Sequence, residues 1–211
     1  AASINYPMRG AVTWKSVVGT NVASDALSNL SSAGVLGGAL VVIGEDYGEG
    51  ASIIQERSHA FAMKSSMCLL DPRPNLTSIV DTVEKSFELS EASNMPVMLQ
   101  LRIRACHISG RFAARDNRSP MVSRNQLLAE PDFNIDRFCL PPSTYLQEKH
   151  KIEYRLPAAE RFITENKLNE VFDGDLSDIG IITMGGLFNG VVRALERVGL
   201  SDIYGASRVP I

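Results

Sequence analysis

Along residues 12–56 the spacing of hydrophobic positions changes from strand-like to helical and back. Residues 11–14 are predicted to form a strand. Gly19-Thr20-Asn21 follows, where glycine permits a tight turn and Asn21 can cap a helix with its side-chain oxygen. Val22, Ala23, Ala26, Leu27 and Leu30 then recur at helical spacing, until Gly34, Gly37 and Gly38 end the pattern. Residues 39–43 are continuously apolar and of strand length, as expected of a central parallel strand covered on both faces. Together these segments make one βαβ unit.

Beyond Ile43 the chain turns polar, with Glu45, Asp46, Tyr47, Glu49, Gln55, Glu56, Arg57 and His59. This loop leaves the carboxyl end of a strand, the edge of an open α/β sheet where ligands bind. The functional site is placed there. Residues 53–63 suit a short helix and residues 67–70 a short strand, ended by Asp71-Pro72-Arg73-Pro74. Asn75 is a good cap for the longest helical pattern, with Leu76, Ile79, Val80, Val83 and Phe87 on one face. Residues 97–103 alternate as a strand, Val97, Leu99, Leu101 and Ile103 on one side and Met98, Gln100, Arg102 and Arg104 on the other.

Periodicity fails over residues 110–142, which hold many charges and four prolines, and an extended crossover is expected. Helical spacing resumes over residues 143–171, with a break expected at Pro157. A second α/β unit is predicted next: a buried strand at 178–184, a Gly185-Gly186 turn, and an amphipathic helix at 187–198 with Leu187, Val191, Val192 and Leu195 inward. No helix or cap precedes the first strand, so the chain is expected to begin part-way into a domain.

Composition narrows the classes. A net charge of −3 over 211 residues does not favour nucleic acid or a membrane surface as partner. No apolar run approaches the roughly 18 residues of a membrane helix, and the start lacks the pattern of a signal peptide. Cys68, Cys106 and Cys139 are far apart and odd in number, which fits reduced thiols in the cytoplasm. No cysteine or histidine cluster has metal-ligand spacing, so no metal or iron–sulfur site is expected within this chain.

The segments WKSVVGTNVASDAL, GGALVVIGEDYGEG, Gln55-Glu56-Arg57-Ser58-His59, FELSEASNMPVMLQLRIRACH and GIITMGGLFNGVVRALERVGL, in that order, resemble the pyrimidine-binding domain of thiamine-diphosphate enzymes. Within that class they are most similar to the alpha subunit of indolepyruvate ferredoxin oxidoreductases. The resemblance covers nearly the whole chain and is loosest over residues 111–142.

The resemblance implies a doubly wound α/β fold with a mostly parallel sheet, followed by the start of a domain like the carboxy-terminal one of transketolases. The expected division is 1–110 (pyrimidine-type domain, incomplete at its N-terminus), 111–175 (crossover with helices) and 176–211. It also implies oxidative decarboxylation of an aryl or related 2-oxo acid on thiamine diphosphate. Electrons would leave through iron–sulfur clusters on another domain or subunit to ferredoxin, coenzyme A would receive the acyl group, and the complex would be oligomeric. The cofactor supplies the carbanion chemistry, and the protein orients it.

Two features depart from the family. Its catalytic glutamate lies upstream of the glycine turn, and the residues before Ala11 hold no Asp or Glu. Its GDG…Asn motif for diphosphate and Mg²⁺ belongs to a separate domain. Gly174-Asp175 precedes a predicted strand rather than following one, and does not supply that motif. A non-oxidative thiamine-diphosphate enzyme such as a decarboxylase or acetohydroxyacid synthase, and a non-catalytic α/β module, are the alternatives.

Gly19, Thr20 and Asn21 are candidates for cofactor contact, or equally a simple turn and cap. Asp46, Tyr47, Gln55 and Glu56 are candidates on the loop, or a solvated acidic lip. Arg57 offers a guanidinium fork for a carboxylate and His59 an imidazole able to move a proton, which makes them the catalytic candidates. Otherwise Arg57 pairs with a neighbouring glutamate and His59 caps or packs beside Phe61. Arg102 and Arg104, with His107 after them, mark either an interface or an anion site. Trp14 is expected in the core and Lys15 in solvent.

Overall fold

The computed structural model describes residues 2–46, 54–55, 57–117, 125 and 134–211. Tyr47 and Glu56 lie outside the described residues, as does much of the crossover. Four strands, β1 (Gly10–Lys15), β2 (Ala39–Glu45), β3 (Cys68–Leu70) and β4 (Val97–Arg102), form an all-parallel sheet in the order β1-β2-β4-β3. Helices α1 (Ser24–Ala33) and α2 (Ser58–Ser65) cover one face. Helix α3 (Leu76–Ser93) covers the other, with α5 (Leu156–Glu165) packed beside it.

The apolar run of β2 is explained by this double cover. Val41 and Ile43 pack with Met98, Leu27 and Ala62 in one layer, and Leu40 packs with Val97, Leu99, Leu89 and Ala159 in the other. Alternate residues of a strand face opposite ways, so a strand with two apolar layers has no polar side to show. Among the described residues β1 pairs only with β2, and it is largely exposed.

Asn75 caps α3 as expected, its Oδ1 accepting from Ser78 N–H at 2.8 Å, and Asn94 closes the helix at φ 52°. The buried face, however, is centred on Ser86, Leu89, Ser90 and Ser93. The hydroxyls of Ser86 and Ser93 donate to the carbonyls of Thr82 and Leu89 four residues back, and Ser90 donates to Met95. These bonds let small polar side chains enter the core.

Three expectations change. β4 ends at Arg102, and residues 103–106 form a helical turn rather than the end of the strand. The chain stays helical through Pro157: α4 (Ser143–His150) runs through a π-helical stretch, Lys151–Arg155, into α5. Proline there stands in the first turn of α5, and the wider ladder before it accommodates the missing N–H. Residues 178–184 carry no strand, and Ile179 and Ile182 are exposed. Helix α6 (Phe188–Arg197) does form, with Leu195 buried but Leu187 exposed.

Candidate functional site

At the carboxyl edge of the sheet, β1 runs directly into a π-helical stretch, Ser16–Thr20, that leads on towards α1. Gly19 makes no tight turn there. A β-carbon on it would lie 2.1 Å from Cγ of Trp14, so glycine is needed to let the backbone lie against the indole. The indole Nε1 donates to Thr20 Oγ1 at 3.1 Å, and Thr20 is buried. Asn21 is not a cap, because the helical backbone begins before it. Its Nδ2 donates to Val17 C=O at 2.8 Å.

Beyond β2, Asp46 is buried and accepts an ion pair from the half-exposed Lys15 at 2.9 Å. Glu45 is 1 % exposed, and both its oxygens accept from Ser58 N–H at 3.0 and 3.1 Å. A carboxylate at a helix N-terminus is stabilised by the free N–H groups and the dipole. Sequence reasoning put Glu45 in the loop; the structure makes it the clamp that fixes α2 to the end of β2. The available signal was an acidic residue directly continuing a buried strand, because such residues are buried only when paired.

This clamp brings Arg57 and Ser58 against the stretch after β1. A cleft of about 230 Å³ opens between them, lined by Ser16, Thr20, Asn21, Arg57, Ser58 and Lys64, with Ala60 and Phe61. Among the described residues its ionisable lining is two cations, Arg57 and Lys64, and no carboxylate. Ser58 is 2 % exposed and its Oγ has no hydrogen-bond partner among the described residues. Hydroxyl donors and two cations suit a small oxyanion such as a carboxylate. Of the candidates, Thr20, Asn21 and Arg57 meet here. Gly19 is pressed on Trp14, Asp46 is paired with Lys15, and Gln55 is exposed two residues before Arg57. His59 is half-buried in α2, with Nδ1 unpartnered among the described residues.

A second polar group lies further along the same edge. Arg102 donates through Nε and Nη2 to Asp71 Oδ2 at 3.0 and 2.8 Å, and both side chains are largely buried. Burial pushes the Asp71 carboxyl above its usual range, against the opposing pull of Arg102. Gly186 closes over the pair, its β-carbon position 2.5 Å from Arg102 Cδ. Arg102 therefore serves an internal contact. Arg104 and His107 are exposed.

Thiamine diphosphate fits this edge only in part. The cleft is below the roughly 300–1,000 Å³ usual for a cofactor, and no group of three or more His, Cys, Asp or Glu among the described residues is placed to hold its metal. The residues present suit an anionic substituent, and the bulk of the cofactor requires other donors.

No protein-family model matches the chain, and no solved structure matches it. Curated relatives do. The chain is 30% identical over 192 residues to "Indolepyruvate oxidoreductase subunit IorA" of Methanothermobacter marburgensis, covering 89% of this chain and 30% of that protein. It resembles one segment of an oxidoreductase subunit. The subunit of the same name in Methanothermobacter thermautotrophicus is 29% identical over 194 residues, with the same shares covered. That of Pyrococcus abyssi is 26% identical over 206 residues, covering 96% of this chain and 31% of its own length. The chain thus spans about 30% of these relatives, which support the family and leave the subunit unassigned. Among the described residues no helix is long and apolar enough to cross a membrane.

Proposed function

We propose that this chain forms the pyrimidine-side portion of a thiamine-diphosphate-dependent 2-oxoacid oxidoreductase of the indolepyruvate type. The observation that carries the reading is the cleft at the carboxyl edge of the sheet, whose described lining holds Arg57 and Lys64, in a chain similar to IorA subunits over 89% of its length. In this reading Arg57 and Lys64 hold the substrate carboxylate, Ser58 and Thr20 lend hydroxyls, and His59 moves a proton at the rim. Asp46 and Gln55 belong to the lip towards the cofactor; Tyr47 and Glu56, assigned the same role from the sequence, lie outside the described residues. The diphosphate, Mg²⁺, iron–sulfur clusters, ferredoxin and coenzyme A engage other domains or subunits of a cytoplasmic oligomer. The proposed division at residues 110 and 175 belongs to the same reading.

The test is steady-state kinetics of the complete enzyme with indolepyruvate. A charge-assisted hydrogen bond contributes about 1.5–3 kcal/mol. Arg57→Ala and Lys64→Ala are each expected to raise KM by roughly 10–100-fold, and Gln55→Ala by less. Unchanged KM in both cation variants would remove the carboxylate assignment.

A further inference from the structure

The opposite, amino edge of the sheet holds a larger cleft of about 470 Å³. Its floor is Gly34, Val35 and Leu36, just before β2, and its wall is α4 and the π-helical stretch. In that wall sits Arg155, 4 % exposed. Its Nη1 donates to Ser31 C=O at 3.2 Å, and its Nη2 to the carbonyls of Ser32 and Gln147 at 2.8 and 2.7 Å. Gly34 is required beside it, because a β-carbon there would lie 2.4 Å from Nη1. All three partners are neutral carbonyls. Among the described residues no carboxylate touches this guanidinium, and Nε has no partner at all.

Clamping the last turn of α1 accounts for the two Nη groups. It accounts neither for an unpartnered Nε nor for a buried charge that makes no direct ion pair among the described residues. Glu148 acts on it only at a distance and is itself paired with Lys151 at 2.7 Å, and a buried charge so weakly compensated is costly. Among the described residues the remaining ionisable lining is Arg137, Lys149 and His150 against Asp136 and Glu153, more basic than acidic groups. Lys149 and Glu153 are 3.9 Å apart, a loose pair. The rest of the wall is apolar and open: Leu146 is 58 % exposed, and Tyr154, stacked 5.1 Å from His150, is 62 % exposed. The volume is that of a small-molecule site.

We propose that this cleft binds a small organic anion, a carboxylate on an aromatic or apolar body, with Arg155 as its charge partner and Leu146 and Tyr154 covering the body. It lies at the other edge of the sheet from the proposed substrate site and does not depend on that reading.

Calorimetric titration of the full chain tests it with three probes: phenylacetate, its neutral isostere phenylacetamide, and sulfate, an anion without an apolar body. Phenylacetate is expected to bind about tenfold or more tighter than either of the others, as one charge-assisted contact and one buried ring each contribute on the order of 1.4 kcal/mol or more. Arg155→Gln is expected to abolish the preference for phenylacetate over the amide. Because that change can also disturb α1, Leu146→Glu serves as the second variant. It alters an exposed side chain, leaves thermal stability unchanged and places a carboxylate in the cleft, and should weaken phenylacetate at least tenfold. Equal affinity for acid and amide, equal affinity for sulfate, or no change in Leu146→Glu would each overturn the proposal.

Discussion

Residues 39–43 are apolar throughout and residues 178–184 at four of seven positions, and both read as buried strands, yet they end in opposite surroundings. In the first, Val41 and Ile43 are buried in a strand with a ladder neighbour on each side and a helical layer on each face. In the second, Ile179 and Ile182 face solvent in a segment without strand structure, although Ile181 N–H reaches Pro210 C=O at 2.9 Å. Hydrophobicity makes a segment eligible for a sheet. Neighbouring strands and covering helices decide whether it enters one.

The sheet that holds the first region and the segment that continues the second meet where Gly185 and Gly186 close over Asp71 and Arg102, so that contact is the first place to break the comparison. Arg102→Met removes one partner of a buried pair and leaves the Asp71 carboxylate uncompensated. The expected loss is about 3–5 kcal/mol in denaturant unfolding near neutral pH. Because the cost is a buried charge, it should shrink as acid protonates Asp71. A loss of the same size at every pH would mean that lost packing, not charge, is responsible.

Alanine at matched isoleucines sharpens the contrast next. Ile43→Ala empties a site that is 0 % exposed and should cost about 2–5 kcal/mol. Ile182→Ala alters a solvent-facing side chain and should stay within about 0.5 kcal/mol. A large loss at Ile182 would show that residues 178–184 are buried in solution and that their predicted strand exists.

Much of the sheet was legible because β2 is an unbroken apolar run and β4 alternates, and because Asn75 and Gly34 mark helix ends by local chemistry. Leu89 escaped, since its buried companions on α3 are serines that look like a polar face until their bonds to backbone carbonyls are seen. The helix through Pro157 escaped because a π-helical stretch leaves no trace in apolar spacing. At the site, Thr20, Asn21 and Arg57 were legible by position after strand ends. Lys64 and Ser58 were not, because only the Glu45 clamp turns α2 so that they face the stretch after β1. Gly19 was identified for the wrong reason: its need comes from Trp14, five residues back in sequence.

The smallest effect concerns the Asp71 carboxyl itself, at the seam between the two regions. Burial raises its pKa above the usual 3.8, with Arg102 opposing. Across the window from 3.8 up to the folded value, the folded chain therefore holds a proton that the unfolded chain has released. Stability from this group is present below the window and falls as pH rises through it. Asp71→Asn removes the titration while keeping the side-chain size. The difference in unfolding free energy between wild type and Asp71→Asn should therefore drift against the wild type as pH rises through that range, and level off above it. Parallel curves across pH 3.8 and above would show that Arg102 outweighs burial, and that the segment carrying Met184 and Gly186 does not keep water from the pair.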